Sequence, residues 1–526
     1  MAESIPPQKD LPEDSSLRRA RQLATLDMVN SGTVLDRAQK DAIKQSTASL
    51  TVELARVEAE ARRLDALRRE LISQLGINEA LVAPIRGLPH DVLSEIFREV
   101  VSRYRAASRN LGTPAIARIC REWRAIALRD PRLWTVINIQ SNRKWAEPVK
   151  ATIGSYLSRS AELPLHFRAM GNMNDPDPSC SCTSDDDGCD CGEGPSPADI
   201  FALHAIEHIA TLSAHRWKSL DLSGHRDIFD QWKRPYLPIL DSITISARIS
   251  FFGRHDLLTL DFLARSPRLR MMTLCARFAC FHLPRWESLK HATYVLDECS
   301  EDEYTSIGSQ LHRQGQLETL AVLEQDNRDE FDTATRYGHI LSYDIALLHL
   351  ATITVSGLGH FILCSILAPE LQKLVVRDGL QDGYTKGALS SILSMDTICS
   401  LRSLRTLELV RVTLDEEVGM DIVYQFLERL SALESLHIES ARGYSDEQTI
   451  LRYELLVWLT RTPEASARLP NLTDLVLYFG KARHKGAKSR LRNLLASRES
   501  SGSAEGVSLS ALTRFRTDIS KELQMG

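Results

Sequence analysis

Four cysteines in the middle of the chain have the residue type and the closeness needed to hold a metal ion. They form two Cys-x-Cys pairs separated by six residues: Cys180, Cys182, Cys189 and Cys191. Four thiolates bind one tetrahedral Zn²⁺, but the usual spacing within each pair is Cys-x2-Cys. Residues 174–196 hold seven acidic side chains and no basic one, which is typical of a flexible insertion. We therefore favour an acidic loop and expect no cofactor, and metal-dependent folding of this loop would reverse that interpretation.

A second cluster, near the C-terminal end of the sequence, is basic. Its members are Lys481, Arg483, Lys485, Lys488, Arg490, Arg492 and Arg498. Such a run suits a nuclear-import or nucleic-acid patch. It equally suits a solvated cap on a repeat array, because a terminal repeat must present a polar outer face. We favour the cap, helical from about Lys488 to Ser497, and expect no nucleic-acid partner.

The sequence carries no common catalytic signature. It lacks a GxxxxGK[ST] phosphate loop, a GxGxxG turn after a strand, an HExxH motif and a GxSxG elbow. Its 526 residues are 43% hydrophobic and 25% charged, with a net charge of −5. This composition excludes fibrous, largely disordered and disulfide-built classes of protein. The small net charge gives no overall electrostatic attraction to nucleic acid or membranes. We expect a globular protein that is not an enzyme.

The larger architecture is set by a repeated unit, apolar-x-x-apolar-x-apolar. It occurs ten times, as Trp217/Leu220/Leu222, Leu240/Ile243/Ile245, Leu269/Met272/Leu274, Leu289/Ala292/Tyr294, Leu317/Leu320/Val322, Leu350/Ile353/Val355, Leu371/Leu374/Val376, Leu404/Leu407/Leu409, Leu433/Leu436/Ile438 and Leu472/Leu475/Leu477. The average separation of about 28 residues lies within the range of leucine-rich repeats. Trp134/Ile137/Ile139 has the same form and suits a first strand of the stack.

Segments with helical periodicity lie between these units. They are Leu257–Leu263, Gly359–Leu367, Ala388–Leu393, Val418–Leu430 and Tyr453–Leu459. One strand and one helix per repeat predict an α/β fold, an irregular leucine-rich-repeat solenoid with parallel strands. The Asn or Cys that usually stands three residues after the third apolar position is absent from all ten units. That departure puts the regular curvature of the solenoid in doubt. It also puts in doubt any prediction of a binding groove by analogy with regular leucine-rich repeats.

A heptad pattern precedes the repeats. Leu50, Leu54, Val57, Ala61, Leu64, Leu71 and Leu75 follow alternating steps of four and three, with Arg68 in the missing place. Sustained heptads need a partner helix, so the pattern predicts a coiled-coil-like helix. Self-association through this helix and docking of a single helix on its own chain both remain open.

Two further helices are predicted between the heptads and the repeats. Leu88-Pro89 starts the first, which carries Ile96, Phe97 and Val100 at helical spacing. A second helical stripe runs from Ile116 to Ala127 and includes Ile119, Cys120, Trp123 and Ile126. Pro131-Arg132-Leu133-Trp134 closes the segment. Because these stripes are short, the helices must pack on each other and on another surface.

Residues 85–134 resemble an F-box. The resemblance rests on the leading Leu88-Pro89, the Ile96-Phe97 pair, the segment Ile119-Cys120-Arg121-Glu122-Trp123-Arg124 and the closing Pro-x-Leu-Trp. The whole chain is similar to F-box proteins of mushroom-forming fungi, which combine a coiled N-terminus, an F-box and degenerate leucine-rich repeats.

The resemblance implies the function of the chain. It implies docking onto the Skp-type adaptor of an SCF-type cullin–RING ubiquitin ligase, with the repeats binding an unknown protein substrate. The implied adaptor contacts are Leu88, Pro89, Ile96, Phe97, Val100, Cys120, Trp123 and Ile126. Trp123 is the expected hot spot, while Cys120 and Ile126 suit the F-box's own core equally well. A repeat scaffold that is not assembled into a ligase is the alternative.

These observations predict a linear organisation. It comprises a mostly disordered segment 1–35, the heptad helix 36–80, the F-box 85–134, the repeats 135–480 and a basic cap 481–526. The first sixteen residues lack an apolar core, so we expect no signal peptide and a cytoplasmic or nuclear location. The uncharged stretch Ile345 to Pro369 contains His, Ser, Thr and Gly. It predicts a buried strand, loop and helix rather than a membrane span.

Overall fold

A computed structural model describes most of the chain. The described residues are 15–106, 113–140, 146–170, 197–225, 229, 235–248, 257–276, 280–296, 301–324, 344–377, 388–399, 401–414, 419–440, 449–462, 468–480, 486–504 and 507–519. They divide into two compact units, Met1–Glu95 and Ile96–Gly526.

Helices make up the first unit. They are α1 (Ser15–Leu23), α2 (Leu26–Asn30), the long α3 (Arg37–Val82) and the start of α4 (His90–Ala106), which continues into the second unit. Asp36 and Gln39 form a capping box at the start of α3. The Gln39 backbone N–H donates to Asp36 Oδ1 over 2.7 Å, and the Asp36 N–H donates to Gln39 Oε1 over 3.1 Å. The predicted heptad helix is therefore confirmed as a helix.

The segment predicted to be mostly disordered contains structure. Helices α1 and α2 occupy residues 15–30 of it, and α1 packs against α3. Leu17 and Leu23 supply α1 with apolar side chains. Docking on α3 supplies the stability that such a short helix lacks alone.

The second unit contains nine further helices within the described residues. These are α5 (Thr113–Ile116), α6 (Arg121–Arg129), α7 (Ala146–Arg159), α8 (Pro197–Ser213), α9 (Glu301–Leu311), α10 (Ala388–Cys399), α11 (Met420–Arg429), α12 (Tyr453–Leu459) and α13 (Ala487–Ser497). Short 3₁₀ helices occur as well, at Pro84–Gly87 in the first unit and at Pro131–Trp134, Ala214–Arg216, Asp261–Arg265 and Gly357–Ser365 in the second.

Strands alternate with these helices. They are β1 (Val136–Gln140), β2 (Leu165–Met170), β3 (Trp217–His225), β4 (Ser242–Arg248), β5 (Leu257–Thr259), β6 (Met271–Ala276), β7 (Cys280–His282), β8 (His291–Leu296), β9 (Thr319–Glu324), β10 (Ile345–Ala346), β11 (Thr352–Ser356), β12 (Ile366–Leu367), β13 (Lys373–Arg377), β14 (Thr406–Val410), β15 (Ser435–Glu439), β16 (Asp474–Tyr478), β17 (Gly502–Ala504), β18 (Val507–Leu509) and β19 (Arg514–Thr517).

Thirteen of these strands form one long parallel sheet, so the predicted α/β class is confirmed. Their order is β1-β2-β3-β4-β6-β8-β9-β11-β13-β14-β15-β16-β19, which follows the chain. The register aligns the repeated motif. Leu220 pairs with Ile243 and Ile243 with Met272, and the same position continues through Leu407 and Leu436.

The motif residues form the core of the second unit. All three apolar positions in all ten predicted units are buried. Alternate residues of a strand point to opposite faces, so the positions between them lie on the other face of the sheet. Those positions are mostly half-buried, as the burial of β8, β11 and β15 alternates residue by residue.

The structure between consecutive strands depends on the number of residues in the repeat. Helices α10, α11 and α12 lie in long intervals and confirm three of the predicted helical segments. The other two differ: Leu257–Leu263 begins as strand β5, and Gly359–Leu367 is 3₁₀ helix ending in β12. The repeat that starts at Leu350 has only 21 residues before the next. An interval this short leaves little room for a full α-helix beside its strand and turns.

The sheet extends beyond the ten units. Strand β1 begins it, as the Trp134/Ile137/Ile139 pattern predicted, and β2 follows. At the other end, β19 pairs with β16, although it lies beyond the predicted limit of the repeats at residue 480. Among the described residues, no helix is long and apolar enough to cross a membrane. The uncharged stretch Ile345 to Pro369 forms β10, β11, 3₁₀ helix and β12, so its predicted strand is confirmed, whereas 3₁₀ helix and a short strand stand in place of the predicted helix.

Candidate functional site

The first candidate site is the helical segment that precedes the sheet, from α4 to Trp134. An aromatic contact between two of its helices lies at its centre. Phe97 on α4 and Trp123 on α6 lie with ring centroids 4.8 Å apart, tilted by 54°. Phe97 is buried and Trp123 is half-buried. The Arg98 guanidinium lies 3.3 Å from the Asp130 carboxylate just after α6. These contacts hold α6 against α4 within the second unit.

Trp134 anchors this segment to helix α7. Its indole Nε1–H donates to the Ala127 carbonyl on α6 over 2.7 Å. Its ring contacts Tyr156 edge-on at 5.1 Å, and the Arg159 guanidinium lies over it at 4.4 Å, both from α7. Burial raises the pKa of Tyr156 to about 12, so its hydroxyl is protonated at neutral pH. The closing Pro-x-Leu-Trp therefore joins α6 to the first helix of the sheet region.

The predicted stripe from Ile116 to Ala127 is two helices rather than one. Helix α5 ends at Ile116, a turn comes next, and Cys120 is the N-cap of α6. The Trp123 backbone N–H donates to Cys120 Sγ over 3.4 Å. The Arg124 guanidinium donates to the Ala117 carbonyl over 2.8 Å and fixes the turn. The break removes Ile119 from the stripe and leaves it 59% exposed.

The implied adaptor contacts differ in accessibility. Phe97 and Ile126 are buried, whereas Pro89 is exposed. The other five are half-buried: Leu88, Ile96, Val100, Cys120 and Trp123. Three large apolar side chains of this segment outside the set are well exposed: Val92 at 40%, Ile119 at 59% and Leu128 at 43%. The sequence offers a signal for Leu128, since it lies on the side of α6 away from Trp123, Ile126 and Ala127.

The second candidate site is the outer face of the parallel sheet, opposite its apolar core. Over β3 to β11 this face is dominated by half-buried hydroxyl groups: Ser219, Ser242, Thr244, Ser246, Thr273, Thr293, Thr319, Thr352, Thr354 and Ser356. Two histidines bond to it across strands. His166 Nδ1 lies 2.7 Å from Ser219 Oγ, and His291 Nδ1 lies 2.7 Å from Thr319 Oγ1.

The face becomes charged over β13 to β15. We call Lys373, Arg377, Glu408, His437 and Glu439 the charged strand face. Lys373 Nζ lies 2.6 Å from Glu408 Oε1, and Arg377 lies 3.2 Å from Glu408 Oε2. Partial burial by itself raises the pKa of Glu408, but the bonds and charges of Lys373 and Arg377 outweigh it and lower that pKa. Glu408 is therefore a carboxylate at neutral pH.

His437 lies in the middle of the charged strand face. It pairs in register with Glu408 and contacts the Tyr478 ring edge-on at 5.7 Å. Partial burial lowers the pKa of His437, although the nearby Glu408 and Glu439 oppose that shift. A neutral imidazole between charged neighbours suits hydrogen bonding to a bound polypeptide.

Some residues of the predicted metal site and of the basic cluster lie outside the described residues. Residues 171–196, which include all four candidate metal ligands, lie outside the described residues. Within the described ranges, no group of three or more His, Cys, Asp or Glu side chains could hold a metal ion. In the basic cluster, 481–485 lie outside the described residues, and helix α13 confirms the helix predicted from about Lys488 to Ser497. Arg498 is buried rather than solvated.

Comparison with known proteins adds no family assignment. No protein-family model matches this chain, and no curated protein matches it. The geometry of the two candidate sites therefore carries the functional argument.

Proposed function

We propose that this chain is a substrate-recognition subunit of an SCF-type ubiquitin ligase and itself catalyses no reaction. The helical segment up to Trp134 binds the Skp-type adaptor, and the repeats, of leucine-rich type, bind a protein target. The receptor raises the effective concentration of its target near the charged ubiquitin-conjugating enzyme.

One observation carries the adaptor assignment: apolar side chains are exposed on a short helical segment whose own core is already filled. Phe97 and Ile126 fill that core, while Ile119 and Leu128 point outwards. Small apolar helix faces of this kind are typical of protein docking surfaces. From the second unit we propose contacts on two sides of α6: Ile119 and Trp123, flanked by Ile96 and Val100, on one side, and Leu128 on the other.

The outer face of the sheet supports the target-binding half of the proposal. Its hydroxyl-rich part offers donors and acceptors in register, and the charged strand face adds both signs of charge. Such a surface suits a polar polypeptide segment rather than a small apolar ligand. A scaffold that presents this face without binding an adaptor is the second candidate function, since the same sheet serves both.

The test is capture of a purified Skp-type adaptor by the full chain. Trp123→Asp is a poor probe because Trp123 also packs on Phe97, so Ile119→Asp and Leu128→Asp are the informative variants. We expect each to weaken capture at least about tenfold, as charges do in apolar interface cores. The matched control is Ile422→Asp on α11, because the exposed fraction of Ile422, 41%, is similar to the 43% of Leu128.

The outcomes separate the two functions. Capture by the wild type and the Ile422→Asp control, with loss in the other two variants, supports the ligase subunit. A wild-type chain that captures no adaptor refutes the ligase subunit and favours the scaffold. Equal capture by all variants refutes the proposed contacts.

A further inference from the structure

Helix α3 carries a long apolar face that the described part of the chain does not cover. Not one of its 46 residues is buried. Five apolar side chains along the heptad seam are 53% to 59% exposed: Leu54, Val57, Leu64, Leu71 and Leu75. Ala61 and Arg68 complete the seam and are exposed as well. A helix of this length gains stability by burying such a face against another helix.

Helix α1 covers only the beginning of this face. Reduced exposure along α3 is confined to Ala42, Ile43, Ser46, Leu50 and Glu53, and α1 packs against α3. From Leu54 to Leu75 the side chains of the seam are exposed, and no described residue buries them. A short helix of the same chain therefore docks on α3, and the apolar seam from Leu54 to Leu75 stays exposed among the described residues.

Charges beside the seam decide the orientation of a second copy. In heptad notation Leu54, Ala61 and Arg68 are a positions, and Leu50, Val57, Leu64 and Leu71 are d positions. A parallel pair would bring each g residue against the e residue five places later in the partner. Those contacts are Glu53 with Glu58 and Glu60 with Asp65, all acidic. Arg68 would also face its own copy in the core, where unpaired charge is costly.

An antiparallel pair removes these conflicts. In antiparallel coils a residues share a layer with d residues, and g residues meet g residues. When Leu54 shares a layer with Leu71, Ala61 shares one with Leu64 and Arg68 one with Val57. Arg68 then lies beside Glu58 of the other copy and Asp65 of its own helix.

The g contacts in this register contain no like-charged pair. They match Glu53 with Gln74 and Glu60 with Leu67. Glu58 and Asp65 form an acidic contact on the e side, which occurs twice by symmetry, and Arg68 lies next to each. Of the neighbouring registers, a shift one heptad towards the N-terminus uses Leu50, whose exposure is already reduced. A shift the other way sets Leu54 opposite the polar Asn78 and Asp65 against Asp65 of the other copy. The register that joins Leu54 to Leu71 is therefore the best matched.

We propose that two copies of this chain associate through residues 54–71 of α3 as an antiparallel, two-fold symmetric coiled coil. The pairing is isologous, so each Arg68 meets the same partner residue in the other copy. It is independent of the adaptor proposal, because no residue of the helical segment that precedes the sheet contributes to it.

Cysteine cross-linking of the full chain tests the orientation. Leu54→Cys chains and Leu71→Cys chains, carrying tags of different size, are mixed and mildly oxidised, with the wild type as control for the native cysteines. We expect cross-links between the two variants and none above the wild-type level within either variant alone. Cross-links of Leu54→Cys or Leu71→Cys with itself would indicate a parallel pair and overturn the proposal.

A charge exchange tests the pairing of Arg68. In analytical ultracentrifugation of the full chain, we expect Arg68→Glu to raise the dimer dissociation constant at least about tenfold. Adding Glu58→Arg should restore it, whereas Arg63→Glu, at an outer heptad position, should leave it unchanged. A wild-type chain that is monomeric at tens of micromolar overturns the proposal, as does a double variant no tighter than Arg68→Glu.

Discussion

Replacing Arg498 with methionine is predicted to loosen the last strand of the parallel sheet. Arg498 is fully buried, and its guanidinium donates to three backbone carbonyls. The bonds run from Nε to Leu459 over 2.9 Å, from Nη1 to Leu469 over 3.2 Å and from Nη2 to Arg468 over 3.0 Å. The Arg498 carbonyl accepts from the Leu512 N–H, so the residue links α12 to the segment entering β19.

The expected cost comes from those three carbonyls. Each buried acceptor left without a donor costs about 1–3 kcal/mol. Methionine keeps most of the volume and avoids the desolvation of a charge, so we expect a net loss of about 3–5 kcal/mol. Burial, with the nearby charge of Arg461, lowers the pKa of Arg498 to about 9. The guanidinium therefore still carries its charge at pH 7.

Hydrogen exchange of the β19 amides is the appropriate assay, because repeat arrays open locally from their ends. We expect Arg498→Met to reduce protection of Arg514–Thr517 at least about 100-fold, equivalent to about 2.8 kcal/mol. The control is Arg492→Met, since Arg492 is exposed on α13. Protection of β19 that is equal in the two variants would refute the assigned role of Arg498.

Two further predictions concern stability. Below the ordinary histidine pKa of about 6.5 the unfolded chain binds a proton more readily than folded His437, so stability falls from pH 7 to pH 5. His437→Gln should reduce that fall in thermal unfolding, and an unchanged pH slope would contradict it. Gly359→Ala would place a methyl group 2.5 Å from the Val322 carbonyl oxygen. We expect a loss of about 1–3 kcal/mol in chemical denaturation, whereas Gly315→Ala, with open space around it, should be neutral.

The apolar periodicity predicted most of the sheet because each repeat buries the same three positions. The prediction missed β2, where the register shifts between Leu165 and His166, and β19, where a polar residue occupies one of the three positions. In β19 the third position is Thr517, whose hydroxyl is fully buried and accepts from the Ile519 N–H over 3.3 Å. A hydroxyl satisfied locally can occupy a core position, which an apolar pattern does not detect.

The candidate sites were less predictable than the fold. Helical periodicity placed Ile119 and Cys120 on one stripe, but Cys120 caps a new helix and Ile119 turns outwards. That break depends on two local bonds, from the Trp123 N–H and the Arg124 guanidinium. The charged strand face arises from residues in different repeats, so the strand register that brings Lys373 and Glu408 together had to be known first.

The most direct test of the proposed function is calorimetric titration of the full chain with a purified Skp-type adaptor. We expect a saturable one-to-one complex with a dissociation constant near or below about 1 μM, or about −8 kcal/mol. We also expect Leu128→Asp to weaken this complex while Ile422→Asp does not. No measurable binding by the wild-type chain would contradict the assignment as a ligase subunit.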